Sequence, residues 1–540
     1  MPTLRPAVRF ASTLFLGFLA TSFLFAQATH PPVHFAVQAP STLTEPLSGR
    51  LLLFLKAGHG DSTVDTGEMN PTATWVGARE VSNLTAGQTI EIDPDAENIA
   101  FPSAFAAIPT GDYEVQAVLD VDHSYNYTGR SPQDWVSPVV TLAHWTPGEG
   151  AEPVLQLTAH APENPQRAAA VAKAEAEVKD TPRMAHMEEM ESPALTRFWG
   201  RSTKLRAWVI LPPGYAEHPQ EHYPTVYWTH GFTGDLSSGL VTGARLYDRM
   251  KEGKMPPMIW VMLDESCPQG THEFADSAND GPWGKALTTE FLPYLEARYR
   301  MDARPTGRFL NGHSSGGWAT LQLEVNYPTI FGGTWSTSPD PSDFHDFTGP
   351  DLYAPNANMY RKPDGSAWPL VRMNGKVVAT VQQFAQLERV LGPYGGQLTS
   401  FDWVFSPKDA SGAPEPMFDR ATGDVDPKVV AYWHDHYDLA HIVEANWTTL
   451  RPNLTGRIHL TVGTADTFYL DGAAHKFEAV LQRLGAEPHF TYLPGRSHFD
   501  IYVVGQDRYA RFDQISAEMY AIARPEAHWK APNPVETAGK

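Results

Sequence analysis

The sequence predicts two folded parts in series, an all-β, sandwich-like domain followed by an α/β domain. At 540 residues the chain is longer than one ordinary hydrophobic core organises, so more than one domain is expected. The first third alternates apolar and polar residues with a period of two, which is the pattern of half-buried strands. The remainder alternates short apolar runs with amphipathic segments, which is the pattern of an α/β architecture.

The all-β assignment covers residues 30–163. Here Tyr113, Val115 and Ala117 alternate with Glu114 and Gln116, as they would on the two faces of one strand. Short strands separated by clusters of Gly, Pro, Asn and Asp are typical of a β-sandwich. Further candidate strands lie at residues 51–55, 89–92, 135–142 and 154–158.

Residues 164–190 change in character, because the run from Ala168 to Val178 is rich in Ala, Glu and Lys and has no sustained apolar stripe. We interpret this segment as a polar connecting helix or linker. From residue 191 to about 525 the chain predicts the α/β domain, followed by a tail at 526–540. Candidate strands of its sheet lie at residues 207–211, 225–228, 258–263, 308–310, 333–336, 458–462 and 490–493.

Two amphipathic segments predict helices between these strands. In residues 283–299 apolar side chains recur at helical spacing, but Pro293 removes a backbone hydrogen bond, so a kink or a helix restart is expected. The apolar positions from Phe477 to Leu484 predict another helix, which ends at Gly485. Active sites in sheets of this kind lie at the carboxyl ends of the strands.

The first 28 residues have the features of a secretory signal peptide. Arg5 and Arg9 supply positive charge, residues 14–25 form an apolar stretch, and residues 26–28 (Ala-Gln-Ala) fit a cleavage site. The stretch is short for a membrane span, which favours cleavage over an uncleaved anchor. The sequence therefore predicts a periplasmic or secreted protein with no stable membrane insertion after cleavage.

Charge and cysteine content narrow the possible partners. The 62 acidic residues outnumber the 41 basic ones, which gives a formal charge of −21 at pH 7. Such a surface repels phosphate backbones and anionic lipids, so no nucleic-acid partner is expected. Cys267 is the only cysteine, so no intrachain disulfide can form, and a small buried thiol is the favoured interpretation.

The central catalytic signal is the run Gly312-His313-Ser314-Ser315-Gly316. It follows the candidate strand at 308–310 and opens the amphipathic segment 318–327, which is the strand–turn–helix context of a nucleophile elbow. Glycines are needed there because side chains would clash with the neighbouring strand and helix. Ser314 has a glycine two residues away on each side and is therefore the candidate nucleophile.

A serine nucleophile needs a base, and in hydrolases with this elbow the acid precedes the histidine in the chain. Asp466 lies just beyond the candidate strand at 458–462 and is the preferred acid, with Asp471 in the same loop as the alternative. His498 follows the last candidate strand and is the preferred general base. Asp466 would fix the imidazole tautomer and stabilise the imidazolium.

The loop His230-Gly231-Phe232-Thr233-Gly234, just after the strand at 225–228, predicts an oxyanion hole. Its donors would be the backbone N–H groups of Phe232 and Ser315, and losing one such donor typically costs about 3 kcal/mol of transition-state stabilisation. An ordinary glycine turn is the alternative interpretation of this loop. Candidate substrate contacts are His230, His313, Trp283 and Trp433.

Several further short motifs accompany these residues, at 211–215 (Leu-Pro-Pro-Gly-Tyr), 223–224 (Tyr-Pro), 281–284 (Gly-Pro-Trp-Gly), 290–294 (Glu-Phe-Leu-Pro-Tyr), 327–328 (Tyr-Pro), 331–333 (Phe-Gly-Gly) and 495–498 (Gly-Arg-Ser-His). With the elbow, they make the chain from about Pro193 to Ala523 resemble the Putative esterase family, which includes esterase D, enterochelin esterases, feruloyl esterases and mycolyltransferases. The resemblance implies an α/β-hydrolase fold and cleavage of carboxylic esters through an acyl-enzyme. It implies no single substrate, because that family spans sugars, siderophores, thiol adducts and lipids.

Two features depart from a minimal member of that family. A β domain precedes the catalytic part, and an insertion at about 340–455 separates two strands of the predicted sheet. The insertion is rich in aromatic residues and is expected to line the substrate site as a cap; burial of those aromatics in the insertion's own core is the alternative. His434-Asp435-His436 has a metal-like composition without further ligands nearby, so neither a metal nor another cofactor is expected.

The function predicted from these motifs is serine-based hydrolysis of a carboxylic ester, on acyl groups of sugars, phenolic esters or siderophores. An acyltransferase would differ only in whether water or an alcohol reaches the acyl-enzyme. From a different class, an inactive hydrolase fold could bind carbohydrate through N-terminal aromatic residues that stack on sugars, namely Trp75, Tyr125, Tyr127 and Trp135. Burial of these aromatics in the sandwich is the favoured alternative. The joint presence of serine, acid, histidine and oxyanion loop favours the enzyme.

Overall fold

The computed structural model describes residues 33–529 apart from 68, 97–98 and 182–183. The segment predicted as a signal peptide, residues 1–28, lies outside the described residues, as does the tail from residue 530 onward. Within the described ranges no helix is long and apolar enough to cross a membrane.

Two sheets form the N-terminal part of the molecule. Its elements are β1 (Phe35–Gln38), β2 (Leu47–Ala57), β3 (Thr74–Leu84), β4 (Thr89–Ile92), β5 (Gly111–Asp120), α1 (Tyr125–Thr128), β6 (Trp135–Val136), β7 (Val140–Trp145), β8 (Val154–Gln156) and β9 (Ala159–His160). The smaller sheet has the order β4-β1-β8, and the larger has the order β3-β2-β5-β6-β9 with β7 also paired to β5. Apolar side chains from both sheets meet in one core, so this part has the sandwich-like architecture that the sequence predicts.

Strand β2 is buried on both faces, which explains its continuously apolar sequence. Leu51 and Leu53 lie in the core between the two sheets. Leu52 and Phe54 point the opposite way and pack in a second cluster with Leu387 of the insertion. Because residues along a strand alternate between faces, one strand joins the sandwich core to the rest of the molecule.

The second part contains the elements α2 (Pro165–Asp180), β10 (Ala185–Glu191), α3 (Pro193–Trp199), β11 (Lys204–Ile210), β12 (Thr225–Thr229), α4 (Leu236–Lys251), β13 (Ile259–Leu263), β14 (Ser266–Cys267), β15 (Gly270–Thr271), β16 (Asp276–Ser277), β17 (Gly281–Pro282), α5 (Trp283–Ala286), α6 (Leu292–Glu296), β18 (Arg308–His313), α7 (Ser315–Asn326), β19 (Thr334–Thr337), β20 (Pro369–Met373), β21 (Lys376–Thr380), α8 (Val381–Leu391), α9 (Gln397–Phe405), α10 (Pro427–His436), α11 (Leu439–Leu454), β22 (Ile458–Gly463), α12 (Asp471–Leu484), β23 (His489–Leu493) and α13 (Ala510–Ala523). Its large sheet has the order β10-β11-β13-β12-β18-β19-β22-β23. Strand β11 runs antiparallel to both of its neighbours. The other six strands of the sheet, β13, β12, β18, β19, β22 and β23, run parallel to one another. The predicted α/β architecture is confirmed.

The expectation that residues 164–190 form a linker is wrong for their second half. Helix α2 packs on α4, and β10 then pairs with β11 as the first strand of the large sheet. Side chains of β10 alternate between buried or half-buried and exposed positions, with Glu189 among its outward residues. Because one face of this edge strand is exposed to solvent, the strand carries several charged residues, and its composition therefore resembles that of a linker.

Helices cover both faces of the large sheet. Residues of α5 and α6 pack on one face beside Val209 and Val261, and residues of α2, α4 and α13 pack on the other beside Trp260. Between α5 and α6 the backbone makes one wide π-type turn, Leu287–Phe291, and the α-helix resumes at Leu292 just before Pro293. The predicted helix restart is therefore present, since a proline is tolerated in a first helical turn.

The insertion packs against α7, α12 and strand β22 of the large sheet. It contains the hairpin β20–β21 and helices α8 to α11. Its aromatic residues pack into one cluster that also includes Trp318 of α7 and Phe477 of α12. This cluster fixes the insertion against the helix that follows the nucleophile candidate.

Candidate active site

Ser314 occupies a strained turn between β18 and α7. Its backbone has φ 59° and ψ −127°, a conformation that side-chain-bearing residues rarely adopt. Its N–H donates to the Thr337 carbonyl at 3.0 Å, and its carbonyl accepts from the Trp318 and Asp340 N–H groups. These bonds to two neighbouring elements hold the strained backbone in place, as expected for a nucleophile elbow.

The glycines of the elbow have no room for a side chain. A Cβ atom on Gly312 would lie 2.1 Å from the Gly316 carbonyl oxygen. A Cβ atom on Gly316 would lie 2.2 Å from the carbonyl oxygen of His230. Because both contacts are with backbone, no side-chain adjustment could relieve them. The second contact also shows that the oxyanion loop lies directly against the elbow.

His498 and Asp466 form the buried pair that the sequence predicts. His498 Nδ1 lies 2.9 Å from Asp466 Oδ2, and the two residues are 3% and 0% exposed. Asp466 Oδ1 also accepts the Phe468 N–H at 2.9 Å. Burial alone would raise the pKa of Asp466, but His498 and the backbone donors lower it overall. An ionised Asp466 therefore holds Nδ1 of the ring as a donor, which leaves Nε2 as the basic atom.

Asp471, the alternative acid, has a different partner. It begins α12 and forms an ion pair with Arg372 at 2.9 Å. The same guanidinium donates to the Asp466 carbonyl at 2.7 Å and lies over the Tyr469 ring. Arg372 belongs to β20, so the insertion braces the loop that carries Asp466.

The predicted oxyanion loop lies beside Ser314. A Cβ atom on Gly231 would be 3.0 Å from Ser314 Cβ and 3.7 Å from its Oγ. In the described part of the chain, neither the Phe232 N–H nor the Ser315 N–H donates a hydrogen bond. Ser315 is the first residue of α7, where the helix dipole favours negative charge. Both N–H groups are thus available to an oxyanion.

His230 is buried beneath this loop rather than open to a substrate. Its Nδ1 lies 2.9 Å from the Gly231 carbonyl, and its Nε2 lies 3.3 Å from Asp264 Oδ1. Burial lowers the pKa of His230, but Asp264 and Glu265 raise it overall. Asp264 also pairs with Arg206 at 2.7 Å. This network fixes the shape of the loop, and the role of His230 as a substrate contact stays a prediction.

His313 lies at the site, next to the candidate base. Its ring centroid is 4.5 Å from that of His498, and its Nδ1 lies 3.2 Å from Thr337 Oγ1. Burial and the neighbouring His498 lower the pKa of His313 to about 3, so the ring is neutral. A neutral ring beside His498 adds no positive charge to compete with the imidazolium formed during catalysis.

Trp433 and Trp283, two predicted substrate contacts, are both held in packing and hydrogen-bond contacts. Trp433 is fully buried in the insertion core, where its Nε1 donates to Ser406 Oγ at 3.0 Å. Trp283 is stacked on His272 with ring centroids 3.6 Å apart and donates to the Asp280 carbonyl. These contacts favour the packing interpretation of the two aromatic residues.

Two residues beside Ser315 were missed in the sequence. Ser315 Oγ donates to Asp340 Oδ2 at 2.7 Å, and Gln397 of α9 lies 3.3 Å from the same oxygen. Burial raises the pKa of Asp340 to about 6. Asp340 follows the carboxyl end of β19, and this position could have identified it as a candidate site residue. Gln397 belongs to the insertion, and no feature of the sequence pointed to it.

A group of possible metal ligands lies in the insertion. His434, Asp435 and His441 present ligand atoms within 4.8 Å of one another, so His441 supplies the neighbour that the local sequence lacked. His436 is not part of this group, because its Nδ1 lies 2.9 Å from the Tyr432 carbonyl. Asp435 Oδ1 is already 3.0 Å from His434 Nδ1.

The sheet order, the strained serine between β18 and α7, and the His498–Asp466 pair after β22 and β23 define the α/β-hydrolase class. The family described as Putative esterase matches residues 201–514, more than half of the chain. The chain therefore belongs to the Putative esterase family.

Individual relatives are more distant. An endo-1,4-β-xylanase/feruloyl esterase of Xylanibacter ruminicola is 29% identical over 143 residues, which are 25% of this chain and 20% of the relative. The match thus spans about a fifth of that curated relative's length. Among solved structures, a ferulic acid esterase is 14% identical with a TM-score of 0.38, covering 63% of this chain and 97% of its own. The fluorophosphonate-binding serine hydrolase F of Staphylococcus aureus is 14% identical with a TM-score of 0.36, covering 63% and 98%.

Proposed function

We propose that the chain is an exported serine esterase that cleaves carboxylic esters through an acyl-enzyme. The observation that carries the proposal is the strained Ser314 elbow, in which His313 lies beside His498 of the buried His498–Asp466 pair. Two backbone N–H groups at the elbow and its neighbouring loop donate no hydrogen bond among the described residues. This combination supplies a nucleophile, a base with a fixed tautomer and an oxyanion site at one edge of the sheet.

In the proposed acylation step, Ser314 Oγ attacks the ester carbonyl carbon while His498 Nε2 accepts the hydroxyl proton. The tetrahedral oxyanion accepts hydrogen bonds from the Phe232 and Ser315 N–H groups. Collapse of the intermediate breaks the bond to the alkoxy oxygen, which takes the proton from His498 and leaves as an alcohol. Water then attacks the acyl-enzyme with His498 again as base, which releases the acid and restores Ser314.

An aromatic acyl group is the proposed substrate class. Phe468 and Phe499 flank the base, with Phe468 5.0 Å from His498 and 6.0 Å from Phe499 between ring centroids. Phe499 is 66% exposed, which is unusual for so large an apolar ring. A planar phenolic acid could stack on this rim while its ester carbonyl reaches Ser314. The similarity to proteins named as feruloyl esterases agrees with this class.

Export is proposed from the features of residues 1–28. Expression of the full chain in a bacterial host should give a mature N-terminus at about residue 29 in the periplasmic or medium fraction. A full-length N-terminus in the membrane fraction would instead identify an uncleaved anchor.

The experiment that tests the activity is turnover of an ester panel by the mature chain and by Ser314→Ala. The panel contains p-nitrophenyl acetate, longer acyl chains, methyl ferulate, acetylated xylan and a catecholate siderophore. We expect Ser314-dependent hydrolysis, fastest with methyl ferulate. Preferential formation of a new ester when an alcohol is added would identify an acyltransferase. No turnover, together with no labelling of Ser314 by a fluorophosphonate, would favour the inactive ligand-binding alternative.

A further inference from the structure

A tyrosine of the β domain reaches the oxyanion loop of the catalytic domain. Tyr127, on the short helix α1, donates its hydroxyl hydrogen bond to the Gly234 carbonyl at 2.6 Å. Its ring meets the Phe232 ring edge to face, with centroids 5.0 Å apart and an interplanar angle of 90°. Tyr127 therefore contacts the loop at two points, one of them the residue whose N–H is the proposed oxyanion donor.

The loop needs support because its own conformation is strained. Thr233 has φ 65°, a left-handed conformation that is uncommon for a residue with a branched side chain. Gly234 is held so closely to His230 that a Cβ atom there would lie 2.6 Å from His230 Nδ1. Strained segments of this kind persist only when surrounding contacts determine them.

Tyr127 is itself held in a fixed position. The neighbouring Asn126 donates from Nδ2 to the carbonyls of Glu388 and Gly392, at 2.9 and 3.0 Å. Gly395 packs so closely that a Cβ atom on it would lie 3.2 Å from Tyr127 Cβ. Burial and nearby acidic groups raise the pKa of Tyr127 well above its ordinary value, so its hydroxyl stays protonated and donates. Contacts with the insertion thus hold α1 of the β domain in place.

We propose that Tyr127 is a positioning residue for the oxyanion hole and that the β domain is, through it, part of the catalytic centre. This inference rests on the proposed function, because it assigns Tyr127 an effect on the Phe232 N–H. The hydrogen bond to Gly234 fixes the end of the loop, and the edge of the Phe232 ring fixes the residue that carries the donor. Both contacts are lost when the tyrosine is removed.

The expected kinetic signature is specific. An oxyanion forms only in the transition state, so a misplaced donor lowers kcat and leaves ground-state binding, reflected in KM, largely unchanged. Removing a whole donor typically lowers kcat about 10²- to 10³-fold, and a displaced donor should lose part of that. We expect about a 10- to 100-fold loss of kcat in Tyr127→Ala and a smaller loss in Tyr127→Phe, which keeps the ring contact.

The test compares both variants with Tyr125→Phe in the mature full chain. Tyr125 lies on the same helix and is also buried, but its ring stacks on Phe54 and its hydroxyl bonds to Asp65, away from the loop. Tyr125→Phe therefore reproduces the loss of one buried hydroxyl from α1 and should retain wild-type kcat. Thermal unfolding of each variant shows whether the protein remains folded at the assay temperature.

A second readout is inhibition by an aryl boronic acid, which forms a tetrahedral adduct on a serine nucleophile and places an oxygen in the oxyanion hole. The boronate Ki should rise in Tyr127→Ala by about the factor by which kcat/KM falls. If Tyr127→Ala does not fold, the same two readouts on Tyr127→Phe carry the test. A loss confined to stability, with kcat and Ki unchanged, would overturn the inference, as would a loss confined to KM.

The proposed function and this inference fail in different ways. If Ser314→Ala keeps wild-type turnover, the proposed function is overturned, and the role of Tyr127 with it. If turnover depends on Ser314 but both Tyr127 variants keep wild-type kcat, only the role of Tyr127 is overturned. A kcat loss in Tyr127→Ala that exceeds that in Tyr127→Phe, with Tyr125→Phe unaffected, supports the inference.

Discussion

Two regions of the molecule contain buried acidic residues whose pKa values are shifted in opposite directions. Asp466 is fully buried but accepts hydrogen bonds from His498 and backbone N–H groups, and its pKa is lowered. In the segment between β13 and α5, Glu273 and Asp280 are equally buried. All four of their carboxyl oxygens lack a partner among the described residues, and burial raises both pKa values well above the ordinary range.

Burial alone therefore does not set the charge of these carboxyls; the donors around them do. A desolvated carboxylate without donors takes up a proton, whereas one that receives N–H groups and a cationic partner stays ionised. Glu265 shows the intermediate case. Among the described residues it accepts one hydrogen bond, from the Thr229 hydroxyl at 3.1 Å, and His230 Nδ1 lies 4.0 Å from its other oxygen. Burial outweighs these contacts and raises its pKa to about 8. Of the two regions compared, the one around Asp466 supplies its buried negative charge with hydrogen-bond donors.

The largest expected effect comes from removing that charge at Asp466. Asp466→Asn keeps the shape but allows the amide to donate to His498, which favours the tautomer with no free Nε2 base. In a related serine triad the same change lowers kcat about 10⁴-fold, and we expect a loss of about 10³- to 10⁴-fold here. Steady-state kinetics on the preferred ester, with active-site titration by a fluorophosphonate, measure it.

The matched control is Asp471→Asn, because Asp471 lies in the same loop but pairs with Arg372. It should lose less than about tenfold in kcat, since it reaches His498 only through the loop backbone. A large loss in Asp471→Asn together with wild-type activity in Asp466→Asn would move the acid to Asp471. It would also remove the contrast between the two regions.

The elbow and the triad order could be read from the sequence because each depends on local spacing. Gly312 is required by a contact within its own strand–turn–helix unit, and Gly316 by the neighbouring loop at His230. Strand ends mark the loops of Asp466 and His498. Tyr127 and Gln397 could not be predicted in this way, since their contacts join residues 107 and 57 positions apart along the chain. The polar strand β10 was missed for a related reason, because only its pairing with β11 distinguishes it from a linker.

The aromatic insertion shows the limit of composition as a guide. Trp433 was a candidate substrate contact because the insertion lies beside the site, yet its ring is enclosed by Phe405 and other members of the insertion core. Residue type was equally consistent with a core position and with a binding position. Only three-dimensional packing separates the two, whereas Phe499 beside His498 is exposed.

A smaller effect is expected at Asp340, which lies between the two regions. Its folded pKa of about 6 exceeds the ordinary 3.8, so the native state retains its proton over this interval while the unfolded chain loses it. Stability from this group is therefore full below about pH 4 and declines as pH rises toward 6. A shift of about 2 units corresponds to at most about 3 kcal/mol.

Asp340→Asn should remove this decline while its amide oxygen still accepts from Ser315. Denaturant unfolding at several pH values is the measurement. The variant should match the wild-type free energy of unfolding near pH 4 and exceed it at pH 7, with activity within about threefold. A variant less stable than wild type at pH 7 would mean that Asp340 is ionised and stabilising in the native state, as Asp466 is.

The smallest effect on catalysis is expected at Glu273, whose two carboxyl oxygens lack a hydrogen-bond partner among the described residues. Glu273→Gln replaces a protonated carboxyl by a neutral group of nearly equal size, so activity should stay within about twofold of wild type. Since the raised pKa makes the native state hold a proton that the unfolded chain releases, wild-type stability falls as pH rises above the ordinary glutamate value, and the variant lacks this fall. The free energy of unfolding should therefore favour the variant increasingly from pH 5 to pH 8.

Asp466→Asn should show the opposite sign, with its stability deficit shrinking as pH falls toward 4 and below, because a lowered pKa makes the native state favour the ionised form. Parallel pH slopes in the two variants would refute the assignment of opposite charge states to the two regions.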